Sequence, residues 1–377
     1  MEAFGVWWPP WSSKPVTRTA RVVGSIPIRL RHFWSQENFL NIRPVLFAML
    51  LWLSASVSGF AAPQTLTTTF TYTATVPAPP TGTKALNVWL PVPSDSAWQK
   101  VSHLSVSSPV PFQITREKKY GDRMVALHET NPTGPLSVTV RFTVCRQAVR
   151  VLDHIGLVPQ DTSLKPVLAA NRRVPVGGQF RVIAQHVSHG ERTPLDKEHA
   201  LFNNVVATMH YDYHHQSPEY AQGDSTFVCD YKSGNCSDLH SYLVSLSRSL
   251  GIPAVLDFGF PLTGIPTPKT LPTDGTISGY HCWVWFHTAK HGWVPLDAAD
   301  ARRWQDAGRP DVARSLFGNL ILERTAVSMS RGRDIVLSPP QKAAPLNYFI
   351  YPYAEADGAP TPATWTLTYH LPTGGKS

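Results

Sequence analysis

The chain has 377 residues, of which 16% are charged, with 34 prolines and a formal net charge of +8. That length leaves room for two domains and an adequate core, and sparse charge with abundant proline favours β-rich structure with many turns over helical bundles. Half of the net charge comes from the first 62 residues, where six basic side chains outnumber two acidic ones, and no basic run typical of nucleic-acid binding follows.

Taken in chain order, the first signal is the apolar run Val45–Phe60, preceded by Arg43 and ending in Gly59-Phe60-Ala61-Ala62. It is too short for a comfortable membrane span, and the small residues suit a cleavage site. Residues 1–62 therefore read as a leader and signal peptide. The folded part is expected to be periplasmic or secreted, with no stable membrane span after cleavage and no lipid anchor.

Residues 63–152 read as a β-sandwich module. Leu66, Phe70, Tyr72, Ala74 and Val76 alternate with threonines, and Thr68 interrupts the apolar face. Ala85–Leu90, Val101–Val106, Arg123–His128 and Leu136–Val144 are further short strands divided by proline, glycine and asparagine turns. No cluster of chemically active side chains falls in this module, which reads as a support or substrate-presenting domain.

Residues 153–377 read as a second domain. After a proline-containing connector, Gln179–Val187 and Leu195–Met209 have helical character. His210 and His214 then stand four apart, beside His215, a spacing that holds a metal when it lies on a helix. No glutamate or third ligand accompanies them, so a polar helix end is the favoured reading.

Cys236–Leu250 is the best-defined helix. Leu239, Leu243, Leu246 and Leu250 fall on one face, and Gly251 and Pro253 stop the helix. Cys236 thus sits at a helix N-terminus, where unpaired N–H groups and the helix dipole favour the thiolate. The loop 257–278, rich in proline and glycine, separates this helix from the strand that starts at His281. Along that strand His281, Trp283 and Trp285 share one face, and Cys282, Val284 and Phe286 the other. A turn at Lys290-His291-Gly292 leads to a second strand, Trp293–Asp297, forming a hairpin that makes His281 and Asp297 neighbours. Thiol acyl transfer needs such a Cys/His/Asp set: a thiolate nucleophile, an imidazole to move the proton, and a carboxylate to fix its tautomer.

These residues lie in a longer pattern. It comprises Gly223-Asp224, Cys229-Asp230, Gly234-Asn235-Cys236-Ser237-Asp238, Arg248-Ser249-Leu250-Gly251-Ile252-Pro253-Ala254, Gly279-Tyr280-His281-Cys282-Trp283 and Gly292-Trp293-Val294-Pro295-Leu296-Asp297-Ala298. Phe317-Gly318-Asn319, Gly332-Arg333-Asp334-Ile335 and the run Pro345–Tyr353 continue it. The pattern resembles the bacterial transglutaminase-like family of the papain-like thiol enzyme superfamily, from about Gln64 onward. The resemblance implies Cys236 as nucleophile, His281 as general base and acid, and Asp297 as the orienting carboxylate. Two positions depart from the family: Trp285 stands where many members carry an acidic residue, and Asp300 where a glutamate is expected. The backbone N–H of Cys236 supplies one oxyanion donor, and the second is unassigned.

The expected fold is α+β: a papain-like transglutaminase core, with the nucleophile helix packed on an antiparallel sheet, preceded by a β-sandwich and completed by C-terminal β structure. With Cys236 kept free in an exported chain, Cys229 and Cys282 are the expected disulfide pair. The expected activity is transamidation, deamidation or proteolysis through a thioester, on a protein or peptide substrate bearing a glutamine or amide group, with an amine as a second substrate in the first case. It requires no metal or organic cofactor and involves no nucleic acid. The competing reading is a non-catalytic peptide-binding module of the cell envelope.

Overall fold

The computed structural model describes residues 64–152 and 164–372. The leader, its apolar run and residues 153–163 of the connector lie outside them. Six strands open the described chain: β1 (Thr65–Val76), β2 (Ala85–Val92), β3 (Gln99–Ser107), β4 (Phe112–Arg116), β5 (Arg123–Thr130) and β6 (Leu136–Gln147). In β1 every second side chain is buried, Thr68 included, as the alternation requires.

Helices α1 (Gly178–Val187) and α2 (Pro194–Thr208) follow, then the two-residue strand β7 (His210–Tyr211). Because β7 begins at His210, His210 and His214 do not share a helix face, and both are exposed. His215 instead packs its ring against Phe227 and Tyr231. Helix α3 (Ser225–Tyr231), strand β8 (Ser233–Gly234) and helix α4 (Cys236–Ser249) come next, with β7 and β8 paired in parallel. The remaining elements are β9 (Ala254–Phe260), β10 (Asp274–Ile277), β11 (His281–Thr288), β12 (Gly292–Leu296), α5 (Ala298–Asp306), α6 (Pro310–Ser315), β13 (Val327–Arg331), β14 (Tyr353–Ala356), β15 (Ala359–Thr361) and β16 (Thr364–His370).

Apart from the β7-β8 pair, three sheets hold the described strands. The sandwich consists of two five-stranded sheets, ordered β10-β16-β1-β6-β3 and β15-β14-β2-β5-β4. The C-terminal strands therefore return to the sandwich: β16 pairs antiparallel with β1, and β14 with β2. They do not complete the sheet that carries His281. Even the loop after β9 contributes a strand to the sandwich, since β10 pairs with β16.

The third sheet, β12-β11-β9-β13, is antiparallel throughout. Every residue of β9 and β11 is buried, because both faces of this sheet are covered. Helix α4 packs on one face. The sandwich meets the other, where the Arg146 guanidinium lies 5.8 Å from the Trp283 ring centre, and at the end of β9 Tyr72 packs edge-on against Phe260 at 5.8 Å.

Helix α4 is buried along its whole length. Its leucine stripe explains one side, where Leu239, Leu243 and Leu246 are fully buried, each contributing roughly 1.5–3 kcal/mol. The other side is polar, and its groups are hydrogen-bonded inside the protein. Ser241 Oγ donates to Ser237 O at 2.6 Å, Ser245 Oγ donates to Ser225 Oγ at 2.8 Å, and Arg248 binds Ala254 O and Asn171 Oδ1 at 2.8 and 2.7 Å. A buried polar face is tolerated only when its groups find such partners.

Candidate active site

The local sequence around Cys236 builds a tightly capped helix start. Asn235 is the N-cap, and its Oδ1 accepts the N–H groups of Ser237 and Asp238 at 2.9 and 3.3 Å. Asp238 Oδ2 accepts the Asn235 N–H at 3.0 Å, closing a reciprocal capping box. The same carboxylate reaches outward, accepting Ala221 N–H at 2.8 Å and Gly223 N–H at 2.7 Å. Two glycines make room for it. A Cβ on Gly234 would stand 2.4 Å from the Cβ of Asp238, and one on Gly223, at φ 65°, would fall 1.9 Å from Arg333 Nη2. Arg333 in turn donates to Ser241 Oγ at 2.7 Å and Asn347 Oδ1 at 2.6 Å, tying the C-terminal segment to α4.

Cys236, His281 and Asp297 come from three separate elements. Cys236 is the first residue of α4, His281 the first of β11, and Asp297 the N-cap of α5. The hairpin forms in the register Val284↔Leu296 to Thr288↔Gly292. Asp297 lies one residue beyond its end, as a helix cap rather than a strand residue. Its Oδ1 accepts the Asp300 N–H at 2.8 Å, and its Oδ2 lies 2.6 Å from His281 Nε2. That leaves Nδ1 of His281 as the ring nitrogen available to Cys236. All three side chains are buried.

The electrostatics follow from this packing. The Cys236 thiol is held well below its ordinary value, first by the neighbouring Cys282 and then, against burial, by His281. Burial pulls the His281 imidazole down, but Asp300 and Asp297 overcome it and raise it to about 9. Burial pushes the Asp297 carboxyl up, yet His281 holds it below the usual carboxylate range. Both shifts favour the charged forms, thiolate on Cys236 and imidazolium on His281.

Four further features complete the site. Asp300 Oδ2 stands 3.4 Å from His281 Nε2, and Arg324 grips the carboxylate by donating to Oδ2 at 2.6 Å and to Oδ1 at 3.0 Å. His240, fully buried, accepts the Ala299 N–H on Nε2 at 3.2 Å, and the same nitrogen is 3.4 Å from Asp297 Oδ1. The phenols of Tyr211, Tyr220, Tyr280, Tyr348 and Tyr351 surround the thiol. Burial raises all five, and the Cys236 charge adds to each, so they stay protonated. Cys282 is the fourth. Strand alternation places it away from His281, but at the strand's first two positions the side chains are not separated in that way. Cys282 packs onto α4, with Sγ 3.5 Å from His240 Nδ1 and 3.8 Å from Ser237 Oγ. All four cysteines are free. The Cys229–Cys282 bridge is not formed, because the Cys282 sulfur is engaged beneath Cys236 while Cys229 is half-buried on α3.

Trp285 lies on the far face of the sheet, where its Nε1–H donates to Asp257 Oδ2 at 2.9 Å. The neighbouring strand β9 thus supplies an acidic side chain there. Among the described residues, the group with metal-ligand spacing is His281, Asp297 and Asp300. These carboxylates are already committed to the imidazole and to Arg324.

Residues 181–298 match the family model described as the transglutaminase-like superfamily. The match contains Cys236, His281 and Asp297, and this part of the chain is a transglutaminase-like core in an α+β fold. A protein of Haemophilus influenzae, itself described as uncharacterised, is 24% identical over 320 residues, covering 77% of this chain and 86% of that one. The crystal structure of a candidate cysteine protease from Cytophaga hutchinsonii is similar at a TM-score of 0.48 and 15% identity, covering 81% of this chain and 91% of the other. The periplasmic domain of TgpA from Pseudomonas aeruginosa is similar at a TM-score of 0.34 and 13% identity, covering 63% and 90%. Among the described residues no helix is long and apolar enough to cross a membrane.

Proposed function

We propose that this chain is an exported thiol acyl-transfer enzyme acting on glutamine carboxamides or peptide bonds in the periplasm or outside the cell. Cys236 is the nucleophile, His281 the general base and acid, and Asp297 the orienting carboxylate. The observation that carries the reading is the meeting of these three buried side chains from α4, β11 and the start of α5, with 2.6 Å between His281 Nε2 and Asp297 Oδ2. A buried charge is costly unless paired, and this pairing stores the reactive thiolate where an anion is otherwise disfavoured.

The chemistry runs in two halves. The Cys236 thiolate adds to the carbonyl carbon, and the developing oxyanion meets the Cys236 N–H, which has no intrahelical partner at the first helical position. The Asn235 side chain already caps the next two N–H groups. The buried phenols are a source of a second donor. His281 passes its proton to the leaving nitrogen, releasing ammonia or an amine and leaving a thioester. It then takes a proton from the incoming water or amine, and the thiolate leaves. Water yields deamidation or proteolysis; an amine yields an isopeptide bond.

The test is to incubate the purified full chain, and Cys236→Ala beside it, with mixed glutamine- and lysine-containing peptides and to read products by mass spectrometry. A cross-link with loss of ammonia, a carboxamide converted to a carboxylate, or a cleaved peptide, each absent with Cys236→Ala, supports the enzyme and names its acceptor. Peptide retention without any product, unchanged by Cys236→Ala, replaces it with the peptide-binding module.

A further inference from the structure

Cys282 has no part in the triad, yet its surroundings give it one. Its sulfur packs against α4, 3.5 Å from His240 Nδ1 and 3.8 Å from Oγ of Ser237, the residue that follows Cys236. Cys282 and His240 are fully buried, so the proton directions among them are set by the protein and not by solvent.

Those directions can be followed one donor at a time. The backbone N–H of Ala299 donates to His240 Nε2 at 3.2 Å. That nitrogen then presents its lone pair, and in a neutral ring the proton belongs on Nδ1. The Asp297 Oδ1 contact with Nε2 is longer, at 3.4 Å, and Oδ1 already accepts the Asp300 N–H at 2.8 Å. With its proton on Nδ1, His240 donates to the sulfur of Cys282. The Cys282 S–H must then point onward. Ser237 Oγ already shares a 2.5 Å hydrogen bond with Tyr280 OH. The remaining neighbour is the strongest acceptor of the set, the Cys236 thiolate.

We propose that Cys282 is a positioning residue for the nucleophile, its S–H donating to the Cys236 thiolate in a direction fixed by the tautomer of His240. This rests on the reading of Cys236 as the nucleophile and adds a second support to it. His281 approaches the thiolate with its back to Asp297 and Asp300, whereas Cys282 approaches from β11 beneath it with its back to His240. The remaining ionisable groups nearby are Asp238, Arg333 and the ring of phenols, and of these Arg333, Tyr280 and Tyr348 also face Cys282. A hydrogen bond to an ionised group favours the charged form, so Cys282 holds the thiolate in place and lowers the pH at which it forms.

The experiment is the pH dependence of alkylation of the full chain by iodoacetamide, followed on the Cys236 peptide by mass spectrometry. Wild type is compared with Cys282→Ala, Cys282→Val and Cys282→Ser, each checked for fold by circular dichroism. Loss of one hydrogen bond to a charged group corresponds to about one to two pH units. Cys282→Ala and Cys282→Val are expected to move the midpoint up by that amount. Cys282→Ser, which keeps a donor, is expected to return it toward wild type. A depressed wild-type midpoint that both apolar variants leave in place, or that serine fails to restore in a folded protein, overturns the proposal. A wild-type midpoint near the ordinary value of about 8.5 instead removes the nucleophile reading itself. Nitrogen NMR of the His240 ring in the wild-type chain is a separate arm that needs no variant. A proton on Nδ1 is expected; a proton on Nε2 would turn the Cys282 S–H toward His240 and overturn the proposal.

Discussion

Asp300 Oδ2 stands 3.4 Å from His281 Nε2, behind the 2.6 Å contact that Asp297 makes with the same nitrogen. One imidazole edge thus faces two buried carboxylates, and Arg324 keeps the second ionised by gripping both of its oxygens. This double carboxylate is what raises His281 to about 9 against burial.

The pH profile of activity follows from it. The thiolate–imidazolium pair forms on the acid side as Cys236 ionises and is lost on the alkaline side as His281 deprotonates, with a midpoint near 9. Removing a neighbouring negative charge destabilises the imidazolium, so Asp300→Asn is expected to move the alkaline limb toward neutrality. The acid limb, set mainly by Cys282 and His281 at the thiol, should move less. Rate measurements from pH about 5 to about 10, spanning both limbs, check this. An alkaline limb that stays in place would show that Asp297 alone sets the imidazole.

Asp297 has two separable tasks, capping α5 through Oδ1 and holding His281 through Oδ2. Asn keeps a cap acceptor but loses the charge, whereas Ala loses both. Both substitutions are expected to lower the rate by about 10²–10⁴-fold, the scale on which a misoriented base acts. Only Asp297→Ala should also show the cap loss of about 1 kcal/mol, read as a lower melting temperature than that of Asp297→Asn. Equal melting temperatures for the two variants would remove the capping role.

Gly234 tests the link between the capping box and the nucleophile. A methyl group at this position meets the Cβ of Asp238 at 2.4 Å, a distance that backbone or helix must open. Gly234→Ala is therefore expected to displace Asp238 from the N–H groups of Asn235, Ala221 and Gly223, lowering both the melting temperature and the alkylation rate of Cys236. Unchanged melting and unchanged thiol reactivity would show that the helix start is set elsewhere.

Much of this arrangement is local and could be read from the chain. The leucine spacing and the Gly251-Ile252-Pro253 stop define α4, the alternation of β1 defines a sandwich strand, and the hairpin brings His281 near Asp297. What escaped reading depends on contacts distant in sequence. Nothing near residue 364 announces that β16 will pair with β1, because antiparallel partners are chosen by burial across the fold. Alternation holds from Cys282 to Phe286 and fails at His281, because the rule describes the interior of a strand and His281 is its first residue. His240 lies one turn after Cys236 on α4, but its hydrogen bond depends on the Ala299 N–H, 59 residues away. Helix α5 went unread because its N-cap, Asp297, looked like the last residue of a strand.

Glu198 offers a test of the support beneath the site. It is fully buried on α2 against α4, and its Oε1 lies 2.8 Å from Ser247 Oγ, which is also 2.8 Å from Leu243 O. One hydroxyl proton cannot serve two acceptors well. A protonated Glu198 resolves the conflict by donating to Ser247, whose own proton goes to Leu243 O. Burial is the leading reason that this carboxyl is raised to about 8, with the Ser247 contact opposing it. The sign of the linkage is then fixed. A carboxyl raised in the folded state is fully compatible with folding below its unfolded value, about 4.3 for glutamate. That compatibility is lost progressively as pH rises toward about 8, since the unfolded chain has already released the proton. Wild type is expected to lose stability across this window relative to Glu198→Gln, which keeps a donor and cannot ionise. Asp238, raised to about 6 by burial, and His281 slope in the same direction but are common to both proteins and cancel in the comparison. Urea unfolding at pH about 5, 7 and 8.5, values that bracket the window, reads the difference. The gap in favour of Glu198→Gln should widen with pH, and a gap independent of pH would mean that Glu198 is ionised in the folded protein.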